Sequence, residues 1–211
     1  MQDKLDEWFA EDFGKGDFTS QAIVDNKPCE ANVTGGPGVI SGLEICLALL
    51  ERHDIDYTTD YSDGDIIDSP LIISLKGRAH DILATERLLL NILSHLSGIS
   101  THTNNIVKIA KEANPNVEIL ATRKTLPGLR DLEKEAVVHG GGQTHRMRLD
   151  DAILIKDNHL KLSKSIKESI SLSRTKYPDF MLEVEADNEE QALEIAECGA
   201  DRVMLDNFTP L

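Results

Sequence analysis

The residues best suited to chemistry lie between Ala121 and Leu160, where cationic side chains surround a run of glycines. The cations are Arg123, Lys124, Arg146, Arg148 and Lys156, and the glycines are Gly140, Gly141 and Gly142. Between residues 122 and 156 the chain has seven Lys or Arg and five Asp or Glu, a local balance of +2 in a protein of net charge -15. A cationic island in an acidic protein predicts a site for a small, highly charged anion.

The types of these side chains support an anion site. Arginine offers a planar fork that matches a carboxylate or a phosphate, and glycines let backbone N–H groups approach an oxyanion. Arg123 with Lys124, taken alone, would suit an ordinary solvated loop, but His145 with Arg146 follows the glycine run closely and favours a site. Lys156 ends an apolar strand, where an ammonium is costly unless a ligand or a carboxylate meets it.

Carboxylates near the end of the chain have two interpretations. Glu183 and Glu185 alternate on one predicted strand and therefore share a face. They could both be ion-pair partners of the lysines, or Glu185 and Asp206 could hold a hydroxyl-rich or metal-bound ligand, since carboxylates suit Mg²⁺ when phosphates complete its coordination. The histidines at 139, 145 and 159 fit no structural zinc spacing.

The composition excludes several other partners. Binding to nucleic acid requires a broad basic face that a chain of net charge -15 lacks. We also expect no membrane partner, because the N-terminus is acidic and polar and the longest apolar run, residues 88–93, is too short to span a bilayer. Cys29, Cys46 and Cys198 form no Cys-x-x-Cys pair, so we expect buried thiols in a reducing cytoplasm.

The second half of the chain alternates short apolar strands with helical patterns. We predict strands at residues 119–121, 153–155, 181–185 and 203–206, and a helix at 188–197. This alternation is typical of βα units around a parallel sheet, whose strand C-terminal ends form the working face of a barrel. The charged residues expected to converge at that rim, from four strands, are Lys124, Lys156, Glu185 and Asp206.

The first half has a different pattern. We predict helices at 4–12 and 43–50, two short strands around the turn at 35–38, a strand at 71–75 and a helix at 80–95. Gly98 is expected to break this last helix, and a second helix then continues to about Glu112. We therefore predict two domains, residues 1–98 and 99–211.

A set of motifs occurs in the same order as in one known enzyme family. They are Thr122-Arg123-Lys124-Thr125, Pro127-Gly128-Leu129-Arg130, Leu132-Glu133-Lys134, Gly140-Gly141-Gly142, His145-Arg146, Leu154-Ile155-Lys156-Asp157-Asn158-His159 and Leu205-Asp206-Asn207. Upstream, Gly16-Asp17-Phe18-Thr19, Glu86-Arg87-Leu88-Leu89-Leu90-Asn91 and Ser97-Gly98-Ile99 also fit. Together they closely resemble the quinolinate phosphoribosyltransferases, the carboxylating nicotinate-nucleotide diphosphorylases of NAD biosynthesis.

The resemblance implies a fold and a reaction. The expected fold is α/β, with an N-terminal α/β sandwich domain and an incomplete α/β (TIM-like) barrel that carries the active site, in a homodimer. The expected enzyme is a pentosyltransferase that converts quinolinate and phosphoribosyl diphosphate, with Mg²⁺, to nicotinate mononucleotide, diphosphate and carbon dioxide. Relatives continue beyond the last residue of this chain, so the barrel is expected to be truncated at its C-terminus.

The resemblance also assigns roles by position. The anion site corresponds to Thr122, Arg123, Lys124, His145, Arg146 and Lys156. Glu185 and Asp206 match an acidic pair near the ribose and the metal, and with Lys124 they are the expected catalytic residues. Arg87 matches an arginine that reaches into the neighbouring subunit's site. No residue is assigned as a direct metal ligand.

Two alternatives stay open. The first is a molybdenum-related protein on the same scaffold, although Lys156-Asp157-Asn158-His159 favours the quinolinate branch. The second is a truncated, catalytically impaired member that binds quinolinate or another small anion without turnover.

Overall fold

The computed structural model describes residues 2–209, which form eight helices and ten strands. The helices are α1 (Gln2–Phe13), α2 (Phe18–Ile23), α3 (Leu43–Arg52), α4 (Ala79–Ala113), α5 (Arg130–His139), α6 (Asp157–Leu160), α7 (Ile166–Lys176) and α8 (Glu189–Glu197). The strands are β1 (Pro28–Thr34), β2 (Gly38–Val39), β3 (Asp56–Thr58), β4 (Ile66–Ile67), β5 (Leu71–Arg78), β6 (Leu120–Ala121), β7 (Gln143–Thr144), β8 (Ile153–Ile155), β9 (Leu182–Ala186) and β10 (Arg202–Leu205). The chain divides into two compact units, of which the first ends at His145 and the second begins at Arg146.

The core of the first unit lies between an antiparallel sheet and two helices. The sheet has the order β1-β5-β3, and α3 and α4 supply the opposing apolar side chains. Every second residue in most of β1 is more buried, as expected for a sheet with one face toward solvent. The fully buried residues of this core include Ile40, Leu43, Leu49, Leu50 and Ile73.

The two strands predicted around residues 35–38 are present, but they do not pair with each other. β1 pairs with β5, whereas β2 pairs with β4. Val39 explains the difference, because its N–H donates to Thr101 Oγ1 at 2.9 Å and its carbonyl accepts from Ser100 Oγ at 2.6 Å. Hydrogen bonds to α4 therefore hold β2 away from β1.

The helix break predicted at Gly98 is wrong, because α4 is one unbroken helix of 35 residues that includes this glycine. An interior glycine costs only about 1 kcal/mol relative to alanine. The buried stripe of α4 continues across the glycine, from Leu93 and Leu96 to Ser100 and Thr103. Packing of this stripe outweighs the local preference. The domain boundary predicted at this glycine stays a prediction.

The second unit is built on the parallel sheet β10-β9-β8, as the alternating pattern predicts. All five residues of the central strand β9 are buried, which is typical of a parallel strand covered on both faces. α7 and α8 contribute Ile170 and Ile195 to its core. Ser165 and Asn188 cap these helices by accepting from the N–H groups of Glu168 and Gln191.

The strand predicted at 119–121 is β6, which pairs in parallel with β7 in the first unit. β7 was not predicted, because Gln143 and Thr144 are polar and exposed and carry no hydrophobic pattern. Among the helices that the structure describes, none is long and apolar enough to cross a lipid bilayer.

Two glycine substitutions test the packing of α4. A Cβ on Gly140 would lie 2.4 Å from the Ser100 carbonyl oxygen and 2.7 Å from Thr103 Cβ, whereas a Cβ on Gly98 would meet no atom within 4 Å. We expect Gly140→Ala to lower the free energy of unfolding by about 1–3 kcal/mol. Gly98→Ala should raise it by about 0.5–1 kcal/mol. Urea denaturation measures both, and equal stability of the two variants would contradict the described packing.

Candidate functional site

The segment that carries Arg123 and Lys124 leaves the C-terminal end of β6 in the first unit. Thr122 and Lys124 are exposed, and the Lys124 N–H donates to Thr122 Oγ1 at 3.2 Å. Arg130 Nε donates to Thr125 Oγ1 at 3.2 Å and so ties the segment to α5. Two local hydrogen bonds thus restrain the conformation of the segment.

Arg123 is the residue of this segment whose environment most favours a ligand. The side chain is half-buried, and its Nε is buried without a hydrogen-bond partner among residues 2–209. Leaving a buried donor unsatisfied costs free energy, and the cost is larger for a charged group. An anion that accepts from Arg123 would remove this cost.

The glycine run does not bind an anion through its backbone, contrary to our interpretation of the sequence. The N–H groups of Gly140, Gly141 and Gly142 donate to the carbonyls at 136, 138 and 137, at 3.1, 2.8 and 2.9 Å. They are therefore committed to the C-terminal end of α5. The glycines serve close packing instead, since a Cβ on Gly142 would lie 2.7 Å from Val137 Cγ1.

His145 and Arg146 stand on either side of the division between the two units. His145 is half-buried in the first unit, and its N–H donates to the Ala121 carbonyl at 3.3 Å. Arg146, half-buried in the second unit, donates from Nη1 to the Ala152 carbonyl at 3.2 Å. Arg148 of the same cationic island is exposed and pairs with Asp150 at 2.9 Å. The two arginines thus have different partners: Arg146 binds a backbone carbonyl, and Arg148 binds an acidic side chain.

The C-terminal edge of the β10-β9-β8 sheet brings Lys156 and Glu185 together. In the register of the sheet, Ile155 pairs with Val184. Lys156 directly follows Ile155, and Glu185 directly follows Val184, so the two charged residues lie at neighbouring positions. Lys156 Nζ donates to Glu185 Oε1 in an ion pair. The Glu185 side chain is only 9% exposed, against 43% for Lys156. The carboxylate expected to meet Lys156 is therefore Glu185.

Asp206 lies at the same edge, directly after β10. Its N–H donates to the Ala186 carbonyl at 3.0 Å, which extends the pairing of β10 with β9. Its exposed carboxylate accepts from Asn207 Nδ2 at 2.9 Å. This edge therefore presents a cation and two carboxylates, one of them open to a ligand.

Several other acidic and basic groups of this unit have structural partners. Glu183 is buried and lies 3.7 Å from Arg202 Nη1. His159 Nδ1 accepts from the Lys156 N–H at 2.9 Å and caps α6. A hydrogen bond from Lys161 lowers the pKa of the Asp157 carboxyl. Within residues 2–209, no three His, Cys, Asp or Glu side chains are arranged to hold a metal.

Two buried charged residues of α5 received no role from the sequence. Glu133 is 8% exposed and Lys134 is 1% exposed. Glu133 accepts from the Leu126 N–H, and Lys134 Nζ donates to the carbonyls of Ala121 and His145. Charged residues on helices usually face solvent, so the pattern of α5 gives no signal for them.

The sequence-predicted site residues fall into two groups. Arg87, Thr122, Arg123, Lys124 and His145 belong to the first unit, and Arg146, Lys156, Glu185 and Asp206 belong to the second. Arg87 is exposed on α4. The convergence of all of them on one rim stays a prediction.

Two family models match the chain. The model described as "Quinolinate phosphoribosyl transferase, N-terminal domain" matches residues 17–97. The model described as "Quinolinate phosphoribosyl transferase, C-terminal domain" matches residues 99–211.

Individual proteins give the same result. The chain is 42% identical over 207 residues to a protein of Methanocaldococcus jannaschii, with 94% of this chain and 71% of that protein covered. It is 37% identical over 215 residues to a protein of Methanothermobacter thermautotrophicus, with 100% and 77% covered. Both are named "probable nicotinate-nucleotide pyrophosphorylase (carboxylating)". The crystal structure of nicotinate-nucleotide pyrophosphorylase from Ehrlichia chaffeensis superposes with a TM-score of 0.92 at 32% identity, covering 99% of this chain and 77% of that one. This likeness confirms the predicted α/β fold class.

The ion pair at the sheet edge can be tested by stability. Lys156→Met leaves the buried Glu185 carboxylate without its ammonium partner, so we expect the free energy of unfolding to fall by about 1–3 kcal/mol. Lys164→Met is the matched control, because Lys164 is 86% exposed and pairs with Glu168 on the surface. It should change stability by about 0.5 kcal/mol or less. Equal losses in urea denaturation would show that Glu185 does not depend on Lys156.

Proposed function

The chain belongs to the quinolinate phosphoribosyl transferase family, and we propose that it transfers the phosphoribosyl group of phosphoribosyl diphosphate to quinolinate with loss of carbon dioxide. The products are nicotinate mononucleotide and diphosphate, which makes the protein a pentosyltransferase of NAD biosynthesis. The observation that carries the proposal is the match to both family domains, over residues 17–97 and 99–211. Relatives named for the carboxylating reaction do not favour the molybdenum-related or silent alternatives.

The chemistry of the reaction suits the residues present. The pyridine nitrogen of quinolinate already has a lone pair, so its attack on the ribose carbon needs no general base. The protein must hold the two substrates in line and stabilise the charge that develops on the departing diphosphate. Cations at the anions and carboxylates beside the sugar meet these needs.

In the first unit, we assign Thr122, Arg123, Lys124 and His145 to the anionic parts of the substrates. Arg123 supports this assignment best, because its buried Nε has no hydrogen-bond partner among the described residues. A quinolinate carboxylate offers the charge-assisted hydrogen bond that this donor lacks. Lys124, which is exposed, is assigned a catalytic role: its ammonium stabilises the charge that develops on the leaving diphosphate.

In the second unit, Arg146 and Lys156 are assigned to quinolinate, and Glu185 and Asp206 to the ribose. Glu185 holds the Lys156 ammonium in place through their ion pair. The exposed Asp206 carboxylate is free to accept from ribose hydroxyls. Both carboxylates also stabilise an electron-poor ribosyl carbon as the diphosphate leaves.

Decarboxylation follows from the first step. Ribosylation makes the ring nitrogen cationic, so the electron pair left at the ring carbon by carbon dioxide is stabilised next to a positive charge. A proton then replaces the lost carboxylate. The step requires no redox cofactor.

We propose that Mg²⁺ arrives with the diphosphate substrate. A carboxylate together with substrate phosphates is a donor set that Mg²⁺ accepts, and Asp206 is the exposed carboxylate that fits this role. When bound, the ion neutralises charge on the leaving diphosphate.

We further propose a homodimer in the cytoplasm. Arg87 is exposed on the long helix α4 and is assigned to the active site of the partner subunit. The three cysteines, which are free, suit a reducing compartment.

Release of labelled carbon dioxide from quinolinate, in the presence of phosphoribosyl diphosphate and Mg²⁺, tests the proposal. We expect Arg146→Ala and Lys156→Ala to lower kcat/KM for quinolinate about ten- to a hundredfold, since each loses charge-assisted hydrogen bonds worth about 1.5–3 kcal/mol. Lys164→Ala, an exposed control, should remain within about twofold.

Two results would contradict the assignment. Near-normal kinetics of the Arg146 or Lys156 variant would remove that residue from the site. Calorimetric binding of quinolinate by the native protein without carbon dioxide release would favour the catalytically silent alternative.

A further inference from the structure

Two consecutive residues of α5, Glu133 and Lys134, are buried although they carry opposite full charges. Their exposures are 8% and 1%. A charge inside a protein is costly unless close partners compensate for the water it loses. The partners of these two side chains therefore show what α5 holds in place.

Lys134 joins the ends of two strands. Its Nζ donates to the Ala121 carbonyl at 3.0 Å and to the His145 carbonyl at 3.2 Å. Ala121 is the last residue of β6, and His145 follows the last residue of β7. β6 and β7 pair through Leu120 with Gln143 and Ala121 with Thr144, and the hydrogen bond from the His145 N–H to the Ala121 carbonyl lies at the end of this pairing. The ammonium thus links the two strands at the point where their pairing ends.

Glu133 holds the chain a few residues further on. Its Oε2 accepts from the Leu126 N–H at 3.1 Å, and its Oε1 lies 2.9 Å from His95 Nε2. Because His95 belongs to α4, the carboxylate also connects Leu126 to the longest helix of the unit.

The segment between these two contacts is the one that carries Arg123 and Lys124. It is held at Ala121 by Lys134 and at Leu126 by Glu133, and both anchors come from adjacent residues of one helix. A binding group held from both ends loses less conformational freedom when a ligand arrives. Neither anchor needs to contact the ligand to have this effect.

We propose that Glu133 and Lys134 are positioning residues for the anion site, and that they act through Arg123. They fix the direction in which the segment leaves β6, and Lys134 also fixes the carbonyl of His145. This inference rests on the proposed function, in which the same segment binds quinolinate.

Kinetics of α5 variants separate positioning from simple stabilisation. Leu132→Ala is the matched control, because Leu132 is 4% exposed and directly precedes Glu133 on the same helix. At a temperature where all variants are folded by circular dichroism, we expect Lys134→Met and Glu133→Ala to lower kcat/KM for quinolinate at least about tenfold, mainly through KM. Glu133→Gln, which keeps an acceptor for Leu126, and Leu132→Ala should stay within about threefold. Equal losses in all four variants would overturn the proposal.

A double-mutant cycle tests whether Lys134 acts through Arg123. If it does, Lys134→Met should cost little once Arg123→Ala has removed the group that it positions, so the double variant should match Arg123→Ala within about threefold. Losses that multiply would show that Lys134 contributes independently of Arg123, which would overturn the proposed route. Should Lys134→Met fail to fold, Lys134→Gln replaces it in the same cycle.

Amide hydrogen exchange supplies a readout that does not depend on turnover. Glu133→Ala should speed exchange at the Leu126 N–H, and Glu133→Gln should preserve its protection, while Leu132→Ala should leave this amide as protected as in the native protein. Unchanged exchange in Glu133→Ala would overturn the anchoring. If the variants show this exchange pattern but the native protein neither binds nor converts quinolinate, the proposed function is overturned and the anchoring remains established.

Discussion

Charged groups that are buried beside the ends of parallel strands must find partners, and this constraint organises the candidate site in both units. In the second unit, Lys156 follows β8 and is met by Glu185 of β9. In the first unit, the ammonium of Lys134 meets two strand-end carbonyls. Arg123 is different, since its Nε is buried and lacks a partner among the described residues. In the proposed function, a quinolinate carboxylate would be the partner of Arg123, whereas protein groups are the partners of Lys156 and Lys134.

The sequence predicted the parts of the fold that depend on hydrophobic periodicity. Strands β8, β9 and β10, with charged residues at their C-terminal ends, follow from short apolar runs and were found where expected. Features that depend on tertiary contacts were not predictable in this way. Gly98 does not break α4, because the buried stripe on either side of it outweighs the cost of one glycine. β2 does not pair with β1, because the backbone N–H and carbonyl of Val39 are hydrogen-bonded to Thr101 and Ser100 of α4.

The candidate site likewise combines features that the sequence predicted with features that it did not. Residue types and spacing indicated the cations and the carboxylates, because such groups are rare at the ends of apolar strands unless they have a function or a partner. The function of the glycine run could not be read from its composition, since a flexible backbone suits both anion binding and close packing. Its N–H groups are committed to α5, and its missing side chains make room for α4. Glu133 and Lys134 were part of a family motif but received no role, because their burial depends on neighbours distant in sequence.

The reaction asks little of the protein beyond placement and charge, so accuracy of position is the property that matters most. The decisive measurement is a crystal structure of the chain with quinolinate bound. We expect a quinolinate carboxylate at hydrogen-bonding distance from the Arg123 guanidinium, with Nε engaged and the segment between Ala121 and Leu126 unmoved. Quinolinate bound away from both Arg123 and Lys156, with Arg123 Nε still unpaired, would contradict this expectation.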